Sequence, residues 1–96
     1  MSVLDSDDGK KLLAMVEVGI DAEVFLGGNL GGYILQRVME DREAALNRLE
    51  VVDPSNAHEV RKAQDDARVP LMFLQYLNDC IQEGKNAERQ LYAAEE

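Results

Sequence analysis

The chain has 96 residues, enough for one small domain with a thin core and too few for a second independently folded one. Hydrophobic residues make up 46% of it but aromatic residues only 5%, with no Trp, so aliphatic side chains must do the packing and helices are favoured over a sandwich or barrel. Nineteen acidic against ten basic residues give a formal net charge of −9, which repels nucleic-acid phosphates and anionic membrane surfaces and argues against a direct nucleic-acid partner.

Cys80 is the single cysteine, so no internal disulfide is expected and the chain suits a reducing compartment. The start lacks a secretory pattern, and no apolar run reaches membrane-spanning length. A soluble protein, in the cytoplasm when it is made and with no membrane partner, is the expectation. The acids are interspersed with Lys and Arg along the chain, which fits a solvated surface better than an imitation of DNA.

In chain order, residues 1–8 are short, polar and acidic, and read as a flexible N-terminus in which Ser6, Asp7 and Asp8 are each able to cap a following helix. Leu12, Leu13, Val16 and Ile20 then recur at helical spacing, which predicts a short amphipathic helix weakened at its end by Gly19. Asp21 can cap a further turn through Ala22, Val24, Phe25 and Leu26, so the region is one interrupted helix or two short ones. Gly27-Gly28-Asn29 breaks the pattern, and Gly31-Gly32 follows at once. These glycines lack the Lys and Ser/Thr of a phosphate-binding loop and the strand that precedes a dinucleotide fingerprint, so they read as close helix packing or a hinge.

A long helix is predicted over residues 30–52, where Leu35, Val38, Ala45, Leu49 and Val52 keep an alternating three- and four-residue step. Arg42 is the polar interruption, and Ile34, Met39 and Leu46 widen the stripe. Asp53-Pro54-Ser55-Asn56 marks the stop and restart. Asp53 as N-cap with Pro54 in the first turn is one start of the second arm, and Asn56 with Glu59 at capping-box spacing is the other. Ala57, Val60, Ala67, Leu71, Leu74 and Ile81 form the inward stripe of that arm, joined by Leu77 and interrupted by Gln64 and Asn78. Pro70 inside the pattern removes a backbone hydrogen bond and predicts a bend near residues 67–70. Gly84 interrupts late, and residues 85–96 read as a polar C-terminal tail whose large apolar residues are Leu91 and Tyr92.

The most apolar window is residues 71–77, Leu-Met-Phe-Leu-Gln-Tyr-Leu, hydrophobic on nearly every side of a helix. Leu71, Met72, Phe73 and Tyr76 exceed what one hairpin seam can use and are the candidate partner-binding residues, with coverage by the N-terminal helix as the alternative. His58 has no second His or Cys placed to help it as a base or metal ligand, and adjacent carboxylates such as Asp65-Asp66 diverge on a helix. No catalytic residue, cofactor or metal site is therefore expected, and the reading is non-enzymatic.

Phe25-Leu26-Gly27, then Gly31-Gly32-Tyr33-Ile34-Leu35-Gln36-Arg37, then Val51-Val52-Asp53-Pro54 ahead of a second arm, resembles a group of small, mostly uncharacterised helical proteins of tailed bacteriophages, over residues 25–91. The resemblance implies a phage origin, synthesis in the host cytoplasm and a structural or assembly role, with incorporation in the virion as one outcome. It carries no catalytic residues across. The expectation is thus a single all-α domain over residues 1–96. It would be an antiparallel hairpin of two long helices, with Leu49 and Leu74 buried and a short N-terminal helix packed on it. It would be oligomeric, or docked on a larger complex. A small acidic regulator that inhibits a host protein is the alternative.

Overall fold

The computed structural model describes residues 6–95, and three helices account for nearly all of them, with no strand among the described residues. They are α1 (Asp7–Gly27), α2 (Asn29–Val51) and α3 (Ala57–Glu95). Ser6 is the N-cap of α1, its Oγ accepting the Gly9 amide at 2.9 Å, and Asp7 and Asp8 in the first turn suit the positive end of the helix dipole. The short or interrupted N-terminal helix expected from the sequence is one helix of 21 residues. Asp7 and Asp8 form its first turn, and residues 1–5 of the expected N-terminal segment lie outside the described residues.

The chain forms two compact units. Met1–Gly28 with Tyr76–Glu96 makes one, and Asn29–Gln75 the other. In the first, α1 packs on the later part of α3 mostly through small residues: Gly9, Gly19 and Ala22 are buried on α1, and Gly84 and Ala87 on α3, with Leu91 as the one large buried side chain there among the described residues. A Cβ added at Gly19 would lie 2.9 Å from the Cys80 carbonyl oxygen and 3.1 Å from Gly84 Cα; one added at Gly84 would lie 3.0 Å from Gly19 Cα and 3.0 Å from the Met15 carbonyl oxygen. The helices therefore meet backbone to backbone, which only glycine permits. Gly19 and Gly84 read in the sequence as weak points of their helices, and they are the crossing point. Residues 85–95, expected as a polar tail, continue α3.

In the second unit, Gly31, Leu35, Val38, Arg42, Ala45 and Leu49 of α2, followed by Val52, are buried or half-buried at the expected seven-residue repeat, with Ile34 half-buried beside them. On α3 the matching positions are Val60, Ala63, Ala67, Pro70 and Leu74. This corrects the expected stripe: Ala57, Gln64, Leu71 and Asn78 are exposed, while Ala63 and Pro70 are buried. Leu49 and Leu74 are only half-buried. Among the described residues no large side chain is fully buried; the buried hydrophobic residues are five alanines, Ala22, Ala45, Ala63, Ala67 and Ala87, with Leu91.

The link at residues 52–56 is a turn followed by a cap. The Asn56 amide donates to the Asp53 carbonyl at 2.9 Å, closing a β-turn with Pro54 and Ser55 at its centre. Asn56 Oδ1 then accepts the Glu59 amide at 3.2 Å and starts α3, so the later of the two starts is the one used. The Asp53 carboxylate accepts the Ser55 amide at 2.9 Å and the Ser55 hydroxyl at 2.8 Å, and these bonds hold its pKa below the ordinary value of 3.8.

Pro70 lies within α3, and the helix runs through it. Having no N–H, it leaves the Asp66 carbonyl without its helical donor and crowds the preceding turn. In that turn the Ala67 carbonyl accepts Arg42 Nη1 from α2 at 2.6 Å. Arg42, the polar interruption of the α2 stripe, thus supplies a charged donor where the proline disturbs the ladder. Six residues further along α2, nearly two turns, Arg48 Nη2 reaches Asp66 Oδ2 at 2.8 Å, the one ion pair among the described residues.

Candidate functional site

All four candidate partner-binding residues stand on α3, within six consecutive positions. At about 100° per residue, such a run must go round the helix. Leu71 and Phe73 consequently point to opposite flanks, with Met72 and Tyr76 one turn apart on the face between them. Exposure follows that geometry: Leu71 is 44% exposed, Met72 41% and Tyr76 62%, while Phe73 is turned inward and half-buried. Tyr76 falls within the unit formed with α1, and the other three within the unit formed with α2.

Val69, 62% exposed, was not part of the sequence reading, although it lies three residues before Met72 on the same face. Its signal was the spacing of Val69, Met72 and Tyr76, a helical ridge hidden by the wholly apolar run around it. The structure therefore brings Met72 together with Val69, while Leu71 and Phe73 leave in different directions. Single exposed apolar side chains are ordinary on a protein surface, and it is their adjacency along one face that makes a candidate patch. Its neighbours along this face, Asp65 and Asp79, are exposed acids that frame the ridge without any basic partner among the described ion pairs.

The remaining candidates assemble no chemistry. His58 is exposed in the first turn of α3, and Cys80 is half-buried beside the α1 crossing. Among the described residues no group of three His, Cys, Asp or Glu side chains converges, and no helix is long and apolar enough to cross a membrane. The depressions are shallow and open. One of them, near the α2–α3 link, is bounded by Arg48, Val51, Val52, Glu59, Lys62 and Ala63, with Arg48 already paired to Asp66. No family model, curated protein or solved structure matches the chain.

Proposed function

We propose that the chain is a non-enzymatic helical interaction protein, a structural or assembly-associated component of a bacteriophage that self-associates or docks on a larger complex. One observation carries this reading: fifteen large hydrophobic residues are exposed while no large side chain is fully buried among the described residues. Such a chain has more apolar surface than internal cover, and a partner is the ordinary source of the missing cover. The resemblance to small helical phage proteins supplies the setting, that of the host cytoplasm during synthesis and of the virion thereafter.

The finer architecture belongs to the same reading. The five-residue link between α2 and α3, with Arg42 on Ala67 and Arg48 on Asp66, supports an antiparallel hairpin of α2 with the first part of α3. The docking residues are Leu71, Met72, Phe73 and Tyr76, among which Met72 and Tyr76 offer adaptable and aromatic contacts. A structural component should co-purify with virions in fixed stoichiometry. Appearance early in infection and absence from particles would instead favour the regulator, whose supporting feature is the net charge of −9. Met72→Ala and Tyr76→Ala, both on exposed positions, should weaken association while leaving the melting curve of the isolated protein unchanged; loss of stability with association intact would remove these residues from the docking surface.

A further inference from the structure

Of the three helices, α1 is the most apolar. Leu13, Met15, Val18, Ile20 and Val24 are all exposed there, in a helix whose inner seam is already occupied by Gly9, Gly19 and Ala22.

One stripe of α1 combines this apolar character with an ordered charge. Lys11, Ala14, Val18 and Asp21 recur at three- and four-residue steps, and all are exposed. Met15 borders them, and beyond Ala14, Met15 and Val18 lies a shallow depression whose far wall is Cys80 and Glu83 of α3. Asp7, also exposed, precedes Lys11 by four residues on the same face, so the stripe carries an acid and a base at its N-terminal end, is apolar in the middle and is negative at its C-terminal end. Neither Lys11 nor Asp21 takes part in the one ion pair found among the described residues.

We infer that this stripe is an interface for a second copy of the chain, with the two α1 helices antiparallel about a two-fold axis midway between Ala14 and Val18. The inference rests on the self-association reading above and names its surface and its occupant. Antiparallel pairing sets Lys11 of one copy opposite Asp21 of the other and Ala14 opposite Val18, and the symmetry makes each contact twice. Parallel pairing would set Lys11 against Lys11 and Asp21 against Asp21, so charge selects the antiparallel form. The small side chain of Ala14 lets the axes approach to about 8 Å, at the close end of helix packing.

The test is sedimentation of the full chain in five forms: the natural sequence, Val18→Asp, Lys11→Glu, Asp21→Lys, and the double variant Lys11→Glu with Asp21→Lys. Far-UV circular dichroism checks that each is folded. The natural chain should dimerise, and Val18→Asp should weaken the dimer by at least about tenfold. Each single charge reversal should weaken it by about three- to tenfold, and the double variant, which restores opposite charges across the axis, should recover most of that loss. A monomer at high micromolar concentration overturns the interface, as does a double variant weaker than either single one. A dimer indifferent to Val18→Asp but lost in Met72→Ala or Tyr76→Ala also overturns it, and leaves the self-association reading standing.

Discussion

Around Gly84 the partner helix comes in until backbone atoms touch, whereas around Ala67 it is kept at the distance of a methyl layer and bridged by the Arg42 guanidinium. Both units are built from small residues, but the small residues do different work. In the α1 unit, Gly19 and Gly84 set how near two helices can lie, with no side chain between them. In the α2 unit, Ala45, Ala63 and Ala67 fill the seam, and a polar clasp from Arg42 reaches the Ala67 carbonyl beside the proline turn. The lesson is that helix separation is decided by which side chains are missing, and that the shorter the separation, the less any addition is tolerated.

The largest expected effect breaks the glycine crossing. Gly84→Ala should destabilise the protein by about 1–3 kcal/mol, because the new methyl would meet Gly19 Cα and the Met15 carbonyl, and rigid backbone cannot step aside as a side chain would. Chemical denaturation measures it. Stability unchanged or raised would mean that the helices slide apart freely and that the crossing is not tight.

Next in size is the clasp. Arg42→Met should cost about 1–2 kcal/mol by removing the charge-assisted bond to the Ala67 carbonyl, and Pro70→Ala, which returns a donor to the Asp66 carbonyl one residue earlier, should lessen that cost if the two features are coupled. A double-mutant cycle reports the coupling. Simple additivity would show that the arginine and the proline act independently.

A smaller change of opposite sign sharpens the contrast. Gly32, also in a helix, has nothing within 4 Å of where its Cβ would stand, so Gly32→Ala should stabilise by about 0.5–1 kcal/mol. Gly84→Ala and Gly32→Ala together separate glycine as a close-approach device from glycine as a mere loss of helix propensity.

The smallest effect lies in the link. Asp53 has a folded pKa below its ordinary 3.8, so its bonds to Ser55 contribute fully above that value and fade as pH falls through the lower, folded pKa. Asp53→Asn should remove that part of the acid dependence, read as the difference between two melting-temperature profiles below pH 4. Identical profiles for the two proteins would discount the Ser55 bonds.

Much of this was legible from residue spacing. The repeat from Leu35 to Val52, the restart near Asp53 and the helical class all follow from apolar periodicity and cap chemistry, and the structure has them. The α3 stripe was misread for a physical reason. Its inner row is Ala63, Pro70, Leu77, Gly84 and Leu91, in which Ala63 and Gly84 carry little or no side chain for a hydrophobic pattern to register and Pro70 reads as a helix breaker. Leu71, bulky and at a competing helical spacing, drew the stripe to the wrong side. Arg42 and Pro70 each looked like a flaw, and no local pattern links residues 28 positions apart; their connection is tertiary. For the candidate site, composition pointed to the apolar window, but which of its members face water depends on the position of the seam.

A core made chiefly of alanine also shapes how the protein responds to temperature. Unfolding exposes little new apolar surface, since so many large side chains already face water in the folded state. The heat-capacity increment should therefore fall below the usual 12–15 cal/mol/K per residue, roughly, and the stability curve should be flat. Calorimetry of this chain would then show a broad, low-enthalpy transition, in which cooling weakens the fold less than it does in proteins with a large oily interior.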